Sequence, residues 1–379
     1  MQTRRGKFLA STGAVFVAGA FVAAVLVPGG MGAKAEKAPE AGPLVIEKMG
    51  SLFAGGTVIT APGAFDPTQY PTPPAGQTLH VDHVYAQFHI PPKARKLPLV
   101  MWHGCLSTAW ESTPDNREGY QSIFVRRGWG VYIIDQPRQG RAGKSSEGIT
   151  ITPTPNEQNS FNSFRLGIWP NFFPNTQFPH DPVSMDHFFR QGGAAHGPAN
   201  RILFVNDVAA LLDRIGPAVL VTHSASGILG WLTAIQSPNV KGIVAYEPTT
   251  QVYPEGEVPP DVPTPFPALA TQLAPPAVAQ ADFDKLTKIP ILIVFGDNIP
   301  TTPQNFGNVD FHRVVLARAR QFAETLRRRG GDVMFLHLPE IGIYGNTHFA
   351  FTDLNNVQIA DLMSQYLKEK GLDKREEKE

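Results

Sequence analysis

"AVLVTHSASGILGWL", residues 218–232, opens as a continuous apolar run, breaks into small polar residues and resumes as apolar. The first part suits a strand buried on both faces, and "GILGWLTAIQ" suits a helix that follows at once. Two serines, Ser224 and Ser226, lie at the junction. A strand that turns straight into a helix pinches its backbone, so it needs small side chains two positions before and two after the apex. Centred on Ser224, those neighbours are Thr222 and Ser226, followed by Gly227. Centred on Ser226, they are Ser224 and the β-branched Ile228, a poor fit. Ser224 reads as the apex and Ser226 as its spacer, although the first glycine of the usual G-x-S-x-G pattern is missing. An N-cap serine at an ordinary turn would look the same in isolation, so the weight falls on the rest of the chain.

Continuous apolar runs bounded by turn residues recur on both sides: "LPLVMWHGC" and "GWGVYIIDQP" before, "VKGIVAYEP", "IPILIVFGD" and "DVMFLHLP" after. Between them fall helical stretches, "NREGYQSIFVRRG", "NRILFVNDVAALLDRIG" and "FHRVVLARARQFAETLRRRGG", with a last helix expected from about 355 to 370. The second of these carries Ile202, Val205, Val208, Leu212 and Ile215 at helical spacing and stops at Gly216-Pro217. Repeated strand–helix–strand units predict an α/β fold: a mostly parallel central sheet, helices on both faces, and ligands at the carboxyl ends of the strands. Two more strand-like segments, "LFAGGTVITAP" and "VDHVYAQFHIP", come first, the latter alternating with period two. Residues from about 143 to 198 break this rhythm. Their "FNSFRLGIWPNFFPNTQFPHDP" is dense in Phe, Trp, Pro and Asn and holds no sustained period. An insertion of that length is functional or disordered, and its aromatic content favours a cap or lid. The proline-rich stretch 253–276 reads as a further surface loop.

Lys+Arg and Asp+Glu both number 33 in the 379 residues, so no global field recruits nucleic acid, and none is expected as a partner. Apolar residues at 42%, beside 35 Gly and 35 Pro, point to a packed core carrying long ordered loops. Cys105 is the only cysteine, which rules out an intrachain disulfide. No zinc-type Cys/His spacing occurs, and His80, His83 and His89 do not share one strand face; no metal and no cofactor is expected. At the N-terminus, Arg4 and Arg5 precede an uncharged stretch from Phe8 to Val27, and Ala33-Lys34-Ala35 fits an A-x-A cleavage pattern. Residues 1–35 are thus expected to form an export signal of twin-arginine type, with 36–44 a linker and 45–379 one domain. An uncleaved anchor is the competing reading, but the stretch is only weakly apolar, and no stable membrane insertion is expected once the signal is removed.

The strand ends carry the chemistry. A serine becomes a nucleophile when a histidine takes its proton and a carboxylate fixes that histidine's tautomer. After Ser224 only His312, His337 and His348 remain. His312 falls early in a helix and His337 inside a strand, whereas His348, in "GIYGNTHFAF", lies beyond the last strand and is the candidate base. Two carboxylates end the intervening strands, Glu247 in "GIVAYEP" and Asp297 in "LIVFGDNIP", and the residues alone leave either as the acid. Acyl transfer also needs N–H donors aimed where negative charge develops. The His-Gly loop of "MWHGCLST" and the residue after the serine supply such donors at Cys105 and Ala225. Cys105 lacks a setting that would lower its thiol pKa, so it matters through its backbone. "DQPRQGRAGKSS" resembles the D-x-P-G-x-G-x-S stretch that follows the fourth strand in many hydrolases, with Arg138 in place of the first glycine. His103, Gly104 and the aromatics Phe164, Trp169, Phe172 and Phe173 are candidates to line an apolar substrate pocket.

In this order, "HGCLSTAWEST", "FRLGIWPNFFP", "THSASG", "AYEPT" and "GNTHFAF" resemble the secreted bacterial α/β-hydrolase carboxylesterases grouped with esterase 713. The resemblance runs through most of the chain after the signal. It implies an α/β-hydrolase catalytic domain with a cap at about 143–198, Ser224 as nucleophile, His348 as base and Glu247, not Asp297, as acid. It also implies an oxyanion hole from the N–H groups of Cys105 and Ala225. Gln often follows the serine in that family; here Ala225 keeps the donor but makes the pocket wall smaller. The expected activity is hydrolysis of a small-molecule carboxylic ester through an acyl-enzyme, in the periplasm or outside the cell. A lactonase, amidase or acyltransferase would use the same residues. A catalytically silent hydrolase-fold binding protein is the alternative from another class. Dehalogenases and epoxide hydrolases carry Asp where Ser224 stands. A homodimer is kept open.

Overall fold

The computed structural model describes residues 42–104 and 107–375. Eight strands make the main sheet: β1 (Lys48–Thr60), β2 (Thr78–Ile90), β3 (Leu99–His103), β4 (Val131–Asp135), β5 (Ala218–His223), β6 (Val240–Tyr246), β7 (Ile291–Phe295) and β8 (Val333–His337). Their order is β1-β2-β4-β3-β5-β6-β7-β8. β2 alone runs against the others, antiparallel to both of its neighbours β1 and β4, and the six strands from β4 to β8 in that order are mutually parallel. This is the mostly parallel α/β sheet that the apolar runs predicted. The central strands β3, β5 and β7 are buried at every residue, as continuous apolar sequences must be when helices cover both faces. Edge strand β1 is largely exposed, and the period-two stretch of β2 buries Val84 and Ala86 while Tyr85 stays half-buried.

Alternation along β5 splits the core in two. Ala218 and Leu220 join one cluster with Trp102, Trp231, Ile293 and Phe322, whereas Val219 and Val221 join another with Met101, Val244, Phe349 and Tyr366. The helix Arg201–Ile215 starts where the Asn200 side chain accepts from Leu203 N–H at 3.0 Å and stops at Gly216, whose φ of +85° few other residues adopt.

The 143–198 insertion holds more regular structure than its composition suggested. It forms helices Glu157–Ser163 and Pro182–Arg190 and pairs Gly167–Ile168 with Asn171–Phe172. Asp181 caps the second helix through the N–H groups of Val183 and Ser184, with Pro182 in its first turn. That Asp-Pro signal was present in the sequence but masked by the surrounding aromatics. Phe161, Leu166, Phe178 and Phe188 are buried in the same cluster as Phe349 and Phe351, so the insertion is packed onto the sheet. The expected export signal at 1–35, residues 36–41 of the linker, and Cys105 lie outside the described residues. Among the described residues no helix is long and apolar enough to cross a membrane.

Candidate active site

Strand β5 ends at His223 and the next helix begins at Ser226, leaving Ser224 and Ala225 to make the turn. Ser224 takes φ +54°, a left-handed conformation that costs a non-glycine residue about 1 kcal/mol. Its backbone is held on both sides. The N–H donates to Tyr246 O at 3.0 Å, and the carbonyl accepts from Gly227 N at 3.0 Å and Thr249 N at 3.2 Å. Ser226 has a different part. Its hydroxyl is fully buried, accepts from His223 N at 3.0 Å, and lies 2.7 Å from Trp102 O and 2.8 Å from His223 O. One of those carbonyls takes its proton, so Ser226 stitches the turn to β3. Small residues let the helix close on the strand: a Cβ on Gly227 would meet Pro248 Cβ at 2.4 Å, and one on Gly230 would meet Thr222 Cγ2 at 2.8 Å. Ser224 is half-buried, and its hydroxyl makes no hydrogen bond among the described residues.

The structure brings His348 and Glu247 together: Nδ1 lies 2.5 Å from Glu247 Oε2, with both side chains buried. A carboxylate accepts, so the imidazole carries its proton on Nδ1 and presents Nε2 as a lone pair. Glu247 sits at φ +45° directly after β6 and also receives Gly296 N–H at 2.8 Å. The buried Arg165 guanidinium grips both of its oxygens, with Nη1 2.7 Å from Oε2 and Nη2 on Oε1. Burial pushes the Glu247 carboxyl up, but Arg165 and His348 outweigh it and hold the group well below the usual range. Asp297, the other candidate acid, does not meet the histidine. Its oxygens accept from Asn298 N at 2.6 Å and Gly345 N at 2.7 Å, bracing the loop that carries His348.

Arg165 was not singled out from the sequence, and His312 was weighed there only as a base and set aside. Arg165 also donates from Nε to Asp297 O at 2.9 Å and from Nη1 to His312 Nδ1 at 2.8 Å. Guanidinium only donates, so His312 Nδ1 is unprotonated and Nε2 donates to Ser163 O. Ligand atoms of Glu247, His312 and His348 lie within 4.8 Å of one another, but the Arg165 charge already occupies the centre a metal would need. A lone arginine among the aromatics of "FNSFRLGIWP" was the available signal, because a charge in such a setting has to find a partner.

Around this core, a second pair of imidazoles links the strand ends. His223 Nε2 donates to His348 O at 2.8 Å, which leaves its Nδ1 to accept from His103 Nε2 at 2.7 Å. The candidate oxyanion elements abut: a Cβ on Gly104 would lie 3.2 Å from Ala225 Cβ. The Ala225 N–H makes no hydrogen bond among the described residues. Of the candidate pocket aromatics, Phe164 lies parallel to the His348 ring at 5.7 Å, and its carbonyl accepts His348 N–H at 3.0 Å. The others pack inside the insertion or carry no ring contact. Trp169 meets Phe161 edge-on at 5.3 Å and is otherwise exposed, Phe172 stacks on His180 at 3.9 Å, and Phe173 is half-buried. Arg138, at φ +67°, takes the backbone shape of the glycine it replaces and is held by a two-pronged ion pair with Asp82 at 2.8 and 3.0 Å.

Burial pushes His103, His223, His312 and His348 below the usual imidazole value of 6.5, His103 to about 3. Below pH 6.5 the unfolded chain therefore binds protons that the folded chain refuses. Stability from these groups is fully present above pH 6.5 and is lost as pH falls, by about 1.4 kcal/mol per unit for each histidine that stays neutral. Asp353 and Asp207, pushed up by burial to about 7 and about 6, work in the opposite sense over that window. Four rings against two carboxyls predict a net loss of stability as pH falls from 6.5 toward 5. Thermal melts across that range should show Tm dropping; a flat Tm contradicts neutral burial of these rings.

The strand order and the turn after β5 are those of α/β hydrolases, and the chain belongs to the alpha/beta hydrolase family, whose model matches residues 99–348. It is similar to the "Probable secreted lipase phiG" of Fungal sp. (strain ATCC 74256), at 30% identity over 324 residues, 75% of this chain and 85% of that one. Among solved structures, a novel bacterial esterase superposes with a TM-score of 0.67 at 28% identity, covering 87% of this chain and 98% of its own. A CIB-like hydrolase from Thermoplasma acidophilum gives a TM-score of 0.42 at 13% identity, covering 85% and 99%.

Proposed function

We propose that the chain is an exported carboxylesterase of the secreted group that it resembles, hydrolysing carboxylic esters with Ser224, His348 and Glu247. The observation that carries this reading is the buried contact of 2.5 Å between His348 Nδ1 and Glu247, set beside a serine held at positive φ at the end of β5. Relatives named as an esterase and a secreted lipase support ester chemistry and export.

In this mechanism His348 Nε2 takes the Ser224 proton as Oγ attacks the acyl carbon. Glu247 stabilises the imidazolium that results. The N–H groups of Ala225 and Cys105 receive the oxyanion. Nε2 then returns the proton to the departing alkoxide, leaving an acyl-enzyme, and a water deprotonated by the same nitrogen releases the acid. Contacts between Ser224 and His348 in such sites often tighten only once substrate is bound. Phe164, parallel to the His348 ring, walls the pocket on the insertion side.

A fluorophosphonate probe should label one serine per chain, mapped by peptide analysis to Ser224, in protein that hydrolyses short p-nitrophenyl esters. Folded protein that neither labels nor turns over overturns the reading in favour of a silent binding scaffold.

A further inference from the structure

We propose that Arg165 is a positioning residue of the catalytic relay, the group through which the 143–198 insertion becomes part of the active site. The proposal rests on the reading of Glu247 as the triad acid. Arg165 is fully buried and, at φ +58°, turns its side chain under the sheet's carboxyl edge. Its donors reach Asp297 O, His312 Nδ1 and both oxygens of Glu247. Glu247 is its only ion-pair partner among the described residues. A two-pronged guanidinium–carboxylate pair fixes the plane of the carboxylate, which no single ammonium contact would do. With that plane fixed, Oε2 faces His348 Nδ1. The adjoining residue completes the tie, since Phe164 O accepts the His348 N–H at 3.0 Å. Neutral His312 holds the guanidinium from the helix Gly307–Arg328. The approach is close: a Cβ on Gly296 would come within 3.0 Å of Arg165 Nη2 and 2.6 Å of Thr347 O.

Arg165 also supplies a charge. The groups around His348 are Glu247 after β6, Arg165 from the insertion, His312 from the Gly307–Arg328 helix, His223 at the end of β5, His103 at the end of β3, and Asp353 beside Thr347 in its own loop. His103, His223 and His312 are neutral, and burial pushes the Asp353 carboxyl up to about 7, so on the acid side of that pH the fixed charges facing the ring are the Glu247 carboxylate and the Arg165 guanidinium. Burial lowers the His348 proton affinity, Glu247 raises it and Arg165 lowers it again. A general base kept unprotonated to lower pH extends activity on the acid side.

Arg165→Met removes both clamp and charge, leaving Glu247 alone against the ring. The acid limb of kcat/KM, and of the rate at which a fluorophosphonate labels Ser224, should move up by about one pH unit. The loss should lie in kcat with KM little changed. Arg165→Lys keeps the charge and loses the fork: its acid limb should stay within about 0.3 unit of the parent while kcat falls about tenfold. A limb that shifts as far in Arg165→Lys as a neutral residue would shift it overturns the proposal, even if Arg165→Met does not fold. An unmoved limb in folded Arg165→Met overturns it equally. If Glu247→Gln keeps full activity, the reading of the triad itself fails; if Glu247→Gln collapses and the Arg165 limbs stay put, only this inference does.

Discussion

Hydrolysis of p-nitrophenyl acetate or butyrate by Ser224→Ala is expected to fall about a million-fold in kcat. The substitution takes away the atom that attacks the acyl carbon and leaves the oxyanion donors and pocket in place, which sustain only a small residual rate over water. Structurally it should be quiet. The Ser224 hydroxyl makes no hydrogen bond among the described residues, so truncation orphans no buried partner. Alanine carries the same Cβ at φ +54°, so the backbone cost is unchanged and Tm should move by about a degree or less. Ser224→Gly should be equally inactive yet more stable by up to about 1 kcal/mol, because glycine adopts that φ without strain. Steady-state kinetics and thermal melts on the three proteins check both halves. Retention of parent activity in Ser224→Ala would remove the serine from the mechanism.

Glu247→Gln is expected to lower kcat about ten-thousand-fold in the folded fraction. An amide facing His348 Nδ1 can donate a hydrogen bond, which favours the tautomer with the proton on Nε2, where it cannot act as base. The same change leaves the Arg165 guanidinium buried without its counter-charge, a loss of about 3–5 kcal/mol in stability. Kinetics must therefore be normalised to active folded protein, for example by the circular dichroism melt. Asp297→Asn makes the contrast. Its carboxylate braces the N–H groups of Asn298 and Gly345, so the amide should cost about 1 kcal/mol of stability and less than tenfold in kcat. Collapse of activity in Asp297→Asn with Glu247→Gln unaffected would reverse the assignment of the acid.

Much of the scaffold was legible in the residues because local physics wrote it there. Doubly buried parallel strands have to be continuous apolar runs, and β3, β5 and β7 are. The apex of the turn followed from side-chain size around Ser224, and the structure gives Ser224 the strained φ and Ser226 the buried, fully engaged hydroxyl. His348 was placed by its position in a loop of small residues beyond β8. The insertion was recognised as ordered but not as helical, since its short helices depend on aromatic packing against Phe349 and Phe351 more than on their own periodicity.

Which carboxylate meets His348 was not legible in the residues themselves; only the family resemblance pointed to Glu247 over Asp297. Glu247 and Asp297 both end neighbouring parallel strands, β6 and β7, about 5 Å apart, and nothing local distinguishes them. Tertiary structure decides, through the backbone at Glu247, the Gly345 loop that occupies Asp297, and Arg165 arriving from 82 residues away. The strands and the turn at Ser224 could be read from short segments, because burial and conformational preference are local properties. Only the tertiary structure brought Glu247 to a ring 101 residues distant and set a buried arginine behind it, because a charge finds its partner through the fold and not along the chain.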